Sequence, residues 1–189
     1  MPIPAVILAA GASRRLGAPK QALLWQGEAL LHRAARVALE SVYSPVIVVL
    51  GAAMEASLEA LAGLGVDIVV NPAWAEGMGS SIRAGVAALP EDAKAVLLLV
   101  CDQPALSREH LEEIRRLHGQ APDQVIVSAY AGIRGVPALV PKGRFPELQA
   151  LAGDRGAQGL FRCGDLREVP FPGGDLDVDT PGDLEFHSK

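Results

Sequence analysis

Cysteines, aromatic residues and long apolar runs are all scarce in this 189-residue chain. The two cysteines, Cys101 and Cys163, form no Cys-x-x-Cys pair. That excludes a dense disulfide framework and the usual zinc-binding spacings, and makes a reduced, cytoplasmic setting the expectation. Aromatic residues are only 4% of the chain, so Ala, Val and Leu must build the core. The longest apolar run, Ala95–Cys101, is too short to cross a bilayer. No basic segment precedes an apolar stretch at the N-terminus, so neither a signal peptide nor a membrane partner is expected. Positive charge is in deficit, with 17 Lys+Arg against 22 Asp+Glu and a net charge of −5. This excludes general nucleic-acid binding as an expectation but leaves room for an anionic substrate in a locally basic cleft. The four histidines, His32, His110, His118 and His187, are scattered and read as solvated helix or tail positions. They form no Ser-His-Asp or Cys-His arrangement.

What is present is an alternation of short apolar runs with helical patterns. Strands are predicted at 4–9, 45–50, 66–70, 95–101 and 124–129, each rich in Val, Ile or Leu. Helices are predicted at about 28–41, 54–62, 79–89, 107–119, 143–151 and 181–187. Ser107 is a good first cap for one of them, Gly63-Leu64-Gly65 closes another, and Pro45 and Pro90 separate elements. Residues 132–141 read as a turn and a short strand. The order implies one α/β domain over 1–189, with three α/β/α layers around a mostly parallel sheet. Ligands of such sheets bind beyond the carboxyl ends of the strands.

The segment Leu8-Ala9-Ala10-Gly11-Ala12-Ser13-Arg14-Arg15-Leu16-Gly17-Ala18-Pro19-Lys20 falls at such an end. Its glycines permit close backbone approach to an anion, and its cations offset the charge. The spacing fits neither a dinucleotide fingerprint nor a P-loop: Ser13 replaces a glycine, and five residues separate Gly11 from Gly17. A surface turn with incidental cations has the same composition, so both readings stand at this point. Asp102 ends the apolar run before Gln103-Pro104, where a carboxylate can hold Mg²⁺ or simply serve a turn. Asp177 or Asp179 could join it on a metal, although Asp179 and Thr180 also suit a helix cap ahead of Pro181. Ser80 and Ser81 lie where Asn71-Pro72-Ala73-Trp74-Ala75-Glu76-Gly77-Met78 enters a helix, a place that favours anions and also ordinary capping. Trp74 and Met78 read as packing residues. Arg134, between Gly132 and Gly135, could meet a phosphate or stand exposed in a turn.

Together, and in this order, these blocks resemble the nucleotidyltransferases of the molybdenum cofactor, most closely their cytidylyltransferase branch. The family's opening Leu-Ala-Ala-Gly-x-Ser-x-Arg-Met-Gly-x-x-Lys stands here as Leu8 to Lys20, with Leu16 for Met. Its Asn-Pro…Gly-Met-x-x-Ser block is similar to Asn71, Pro72, Gly77, Met78, Ser80 and Ser81. Its Asp-Gln-Pro stands as Asp102–Pro104, and its Arg-Gly-x-Pro as Arg134–Pro137. Its Gly-Asp-x-Gly-Ala-Arg appears at Gly153 to Gln158, with Gln158 for the last Arg. Its Asp-x-Asp-Thr-Pro-x-Asp stands as Asp177 to Asp183.

The resemblance implies a Rossmann-like nucleotidyltransferase fold. It implies Mg²⁺-dependent transfer of a cytidylyl group from CTP to the terminal phosphate of molybdopterin, with release of pyrophosphate. Arg15, Lys20 and Asp102 would be catalytic. Leu8, Ala9, Ala10, Gly11, Ala12, Ser13, Arg15, Lys20, Ser80 and Ser81 would bind the nucleotide. Asp102 and Asp179 would hold the metal, and Arg134, Gly135 and Asp154 would face the acceptor. A molybdoenzyme recipient is an implied partner. Ala9-Ala10-Gly11 favours CTP, whereas the guanylyl branch, which uses GTP, typically reads Leu-Ala-Gly-Gly there. A transferase for sugar or polyol phosphates would share the opening loop and the acid at Asp102. A non-catalytic cofactor-binding chaperone would lack the cations or the metal acids, so the presence of Arg15, Lys20, Asp102 and Asp179 favours catalysis.

Overall fold

A computed structural model describes residues 2–13, 17–154, 156–162 and 165–176. In chain order the strands are β1 (Ile3–Ala9), β2 (Leu24–Trp25), β3 (Glu28–Ala29), β4 (Tyr43–Leu50), β5 (Asp67–Val70), β6 (Ala95–Val100), β7 (Val125–Tyr130), β8 (Ile133–Pro141) and β9 (Leu166–Pro170). The helices are α1 (Leu30–Leu39), α2 (Met54–Ala60), α3 (Met78–Ala87), α4 (Arg108–Gln120), α5 (Phe145–Gln149) and α6 (Gln158–Arg162). The predicted helix at 181–187 lies outside the described residues.

Seven strands form one sheet in the order β5-β4-β1-β6-β8-β7-β9. Every neighbouring pair is parallel except the two made by β8, which runs against β6 and β7. The carboxyl ends of β1, β6, β7 and β9 therefore lie along one edge, together with the start of β8. β2 and β3 form a separate hairpin whose turn, Gln26-Gly27, has positive φ at both residues.

All seven residues of β1 are buried, because side chains of a central strand alternate between two covered faces. Ile7 joins Leu31, Leu50, Leu97, Leu111 and Ile126 in one core, against α1 and α4. Val6 and Leu8 join Val49, Ile82, Leu98, Val127 and Phe161 in the other, on the side of α3, α5 and α6. The result is the expected three layers. Close approach of α3 to the sheet requires Gly85: a Cβ there would stand 2.5 Å from Val6 Cγ1. No helix of the described residues is long and apolar enough to cross a membrane.

Three local expectations are corrected. Pro45 does not precede a strand but lies inside β4, where the β1 register shifts between Ile3↔Tyr43 and Ala5↔Val46. Pairing of β4 with β5 begins only at Ile47, so no partner on that side needs the missing N–H. Residues 133–141 are a nine-residue strand inside the sheet, which the glycines and prolines of the sequence obscure. His110 and His118 are buried rather than solvated. His110 stacks on Phe171 at 4.2 Å, and its Nε2 meets Ser128 Oγ at 2.8 Å. Ser107 caps α4 as expected, its Oγ accepting from the His110 N–H.

Candidate active site

The chain leaves β1 at Ala9 and crosses the strand-carboxyl edge as the loop Ala10–Ser13. The buried Gln21 holds this loop from behind. Its Nε2 donates to Ala9 O at 2.8 Å and to Gly11 O at 2.9 Å. Ser13 takes a positive φ of 49°, and its Oγ accepts from the Lys20 N–H at 2.9 Å. With the carbonyls drawn back, no backbone N–H from Gly11 to Ser13 donates within the described residues. A Cβ at Gly11 would meet nothing within 4 Å, and no left-handed φ demands glycine there. The space it leaves belongs to the cleft.

That cleft holds about 480 Å³. Leu8, Ala9, Ala10, Gly11, Ala12, Ser13, Lys20, Ser81, Asp102 and Asp154 all line it, from four separate blocks of sequence. Lys20 Nζ lies 2.7 Å from Asp102 Oδ2, with the two side chains 14% and 23% exposed. Asp102 Oδ1 is buried and has no hydrogen-bond partner among the described residues. A buried acceptor without a donor calls for one, and here it lies beside the cleft. The neighbouring Cys101 thiol is pushed up to about 12, chiefly by burial and next by the Asp102 charge, with Lys20 opposing. It is therefore a neutral wall residue and not a nucleophile. Gln103 ties this strand end to the segment after β9, donating through Nε2 to Gly174 O at 3.0 Å.

On the other side of the cleft, Asn71 organises the entry to α3. Its Nδ2 donates to Ser80 Oγ at 2.8 Å and Ser81 Oγ at 3.1 Å, and its Oδ1 accepts from the Ala73 N–H at 3.0 Å. Ser80 Oγ is further engaged by Ala73 O and Gly77 O. Ser80 is thus part of the scaffold and not of the lining, whereas Ser81 reaches the cleft. Gly77 has φ +105°, and a Cβ on it would run into Asp154 Oδ1 and the Gly153 backbone. This close approach seats Asp154 at the rim.

Arg134 and Gly135 stand apart from this cleft. Arg134 pairs with Glu168 at 2.7 Å and lines a second cleft of about 550 Å³ further along the same edge. Gly135 makes room for Tyr130, whose ring a Cβ would strike. Arg15 and Asp179 lie outside the described residues. Sequence reasoning missed Gln21 as the anchor of the loop, because nothing in a lone amide after a lysine marks it as buried. It also missed Trp74 and Met78, which line the cleft as well as packing. The adjacent Gly77 was the available signal, since a wall that needs a glycine is a close-packed one.

Among the described residues no group of three or more His, Cys, Asp or Glu side chains could hold a metal ion by itself. The donor set nevertheless fits a divalent ion of the Mg²⁺ kind. Such ions are held by one or two carboxylates together with substrate phosphates and water, and Asp102 lines the cleft with one carboxylate oxygen that has no hydrogen-bond partner among the described residues.

Comparison with known proteins bears on this site. The profile of the family described as MobA-like NTP transferase domain matches residues 5–169. The purine catabolism protein PucB of Bacillus subtilis (strain 168) is 32% identical over 195 residues, covering 96% of this chain and 93% of that protein. The nicotine blue oxidoreductase of Paenarthrobacter nicotinovorans is 35% identical, covering 83% and 80% respectively. The molybdenum cofactor cytidylyltransferase of Escherichia coli (strain K12) is 28% identical, covering 96% and 93%. The crystal structure of Rv0371c from Mycobacterium tuberculosis H37Rv in complex with manganese superposes with a TM-score of 0.82 at 31% identity, covering 99% and 98%.

Proposed function

Because the chain belongs to the MobA-like NTP transferase domain family and is a nucleotidyltransferase, we propose that it moves a cytidylyl group from CTP to the terminal phosphate of molybdopterin. The observation that carries this reading is the meeting of the Leu8–Ser13 loop, Lys20 and Asp102 around one cleft. The similarity to the E. coli cytidylyltransferase and the Ala9-Ala10-Gly11 sequence support the choice of base and acceptor.

In the proposed reaction an oxygen of the acceptor phosphate attacks the α-phosphorus of CTP. The bond from that phosphorus to the bridging oxygen of the β-phosphate breaks, and pyrophosphate leaves. The nucleophile is already ionised at neutral pH, so no general base is needed. Catalysis then rests on position and charge. The undonated N–H groups of Gly11 to Ser13 would face the triphosphate, with the Ala9 and Gly11 carbonyls held by Gln21. Lys20 would exchange Asp102 for phosphate oxygens and offset charge on the departing pyrophosphate. Arg15 would add a second cation. Ser81, held by Asn71, would bind the nucleoside side. Asp102 and Asp179 would hold Mg²⁺ or Mn²⁺, which when bound supplies further neutralisation of the triphosphate. The manganese complex of Rv0371c is in keeping with that choice.

The test is pyrophosphate release from each of the four NTPs, with and without molybdopterin, in Mg²⁺ and in Mn²⁺. Release with CTP that depends on molybdopterin is the expected result. Release with GTP alone would move the chain to guanylyl transfer. No molybdopterin-dependent release with any NTP would remove the proposed acceptor.

A further inference from the structure

β5 closes one end of the seven-stranded sheet and pairs with β4 alone among the described strands. The bond that follows it shows which way each backbone group points. The Asn71 N–H donates to Leu50 O at 2.8 Å. In a parallel pair the N–H and C=O of one residue point to the same side, and successive residues alternate. Asp67, Val69 and Asn71 therefore bond toward β4, whereas Ile68 and Val70 turn their N–H and C=O groups to the open edge. No other backbone bond engages Ile68 or Val70 among the described residues.

The two ends of the sheet are unlike. β9, at the far end, carries Arg167, Glu168 and Pro170, the charges and proline that keep an edge from pairing. β5 has a single charge, Asp67, and no proline. Its Ile68 and Val70 side chains are 39% and 50% exposed. They are in register with Val48 and Leu50 of β4, on the side of the α1 and α4 core, yet that core leaves them uncovered. Met54 and Leu58, one turn apart on the crossover helix α2, are exposed in the same layer.

We propose that β5 pairs with β5 of a second copy of this chain, antiparallel, about a two-fold axis at Val69. The backbone and the side chains both select this register. Ile68 stands opposite Val70 of the second copy, each with its groups turned outward, so both symmetry-related pairs exchange hydrogen bonds and set apolar side chains together. Asp67 falls opposite Asn71 of the second copy. The two Asp67 carboxylates stay about 13 Å apart along the strands, beyond the screening length in ordinary salt. An axis at Ile68 would bring them to roughly half that distance. An axis at Val70 would set Ile68 against Pro72, which has no N–H to give. The axis at Val69 reverses strand direction, so the two nucleotide clefts open at opposite edges of the joined sheet and each protomer keeps its own.

Sedimentation equilibrium of the wild-type protein, from micromolar to millimolar concentration, should show the mass rising from that of one chain to that of two. Ile68→Lys/Val70→Lys places ammonium groups directly opposite one another in both pairs. It should remain a single chain over the same range, with urea unfolding at the lowest concentration to verify that it is folded. At Val69 the two Cα atoms would form a non-hydrogen-bonded pair about 4.5 Å apart, a distance that a disulfide spans. Val69→Cys, oxidised at high concentration, should therefore give a linked dimer whose peptide map joins the two copies of position 69. Wild-type protein that stays a single chain throughout overturns the inference and leaves this edge to a strand of another protein. A dimer that persists in the folded double variant overturns it, and so does a dimer that forms no bond between the two copies of position 69. Should the double variant not fold, the cross-link at position 69 decides alone.

Discussion

Lys20→Met should tighten the binding of a divalent cation to the nucleotide-free protein while weakening the binding of CTP. The substitution keeps the alkyl stem and removes the charge. In the structure the ammonium lies 2.7 Å from Asp102 Oδ2, at 14% and 23% side-chain exposure. Two unit charges about 4 Å apart attract by roughly 4 kcal/mol at an effective dielectric near 20. Partial exposure and the desolvation of both ions reduce the net coupling to about 1–2 kcal/mol. A cation approaching Asp102 works against that coupling, so its removal should increase Mn²⁺ affinity by about 5- to 30-fold. CTP loses a cationic partner in the same protein and should bind more weakly. Effects of opposite sign from one substitution do not arise from general loosening of the fold. Free Mn²⁺ measured by electron paramagnetic resonance, and CTP binding by calorimetry, would read the two effects, with urea unfolding to verify that the variant is folded. Mn²⁺ affinity that is unchanged or reduced in folded Lys20→Met would refute the idea that Lys20 and a metal share Asp102.

Gly11→Ala should leave the urea midpoint unchanged, since a Cβ there meets nothing within 4 Å, yet raise the KM for the nucleotide; a normal KM would show that the triphosphate does not enter this space. Asn71→Ala removes the hydrogen bonds to Ser80, Ser81 and Ala73, and should cost about 2–4 kcal/mol in urea unfolding. A loss below about 1 kcal/mol would mean that the buried network adds little. Burial lowers the His110 pKa to about 4, against the small opposing effect of Glu113. The unfolded chain then binds the extra proton between about pH 6.5 and 4, so the His110 contribution is complete above pH 6.5 and is lost as pH falls toward 4. The loss approaches about 3 kcal/mol at the acid end. Relative to His110→Gln, wild-type stability should therefore fall more steeply from pH 7 to 4.5; parallel profiles would contradict the buried neutral imidazole.

The local chemistry of this protein was legible in its sequence. Short continuous apolar runs mark strands covered on both faces and period-3.6 patterns mark helices, so β1, β4, β6, α1 and α4 follow from which residues are apolar. The Ala10–Ser13 loop, Lys20 and Asp102 were candidates in the sequence because their blocks stand in the order of a known family, whereas composition alone left a surface turn equally open. What no local pattern carries is how distant segments meet. Only the tertiary structure set Lys20 against Asp102, across 82 residues of chain, leaving one buried carboxylate oxygen without a partner among the described residues. Only packing separated two adjacent serines that both meet Asn71: Ser80 is tied further to the Ala73 and Gly77 carbonyls, whereas Ser81 lines the cleft. Only the reversal of β8 set Arg134 beside Glu168, in a cleft apart from the one that Lys20 and Asp102 line. The physical reason is the same in each case. Side-chain type and spacing fix conformation over a few residues, whereas ion pairing, burial and cleft shape depend on contacts between residues remote in sequence.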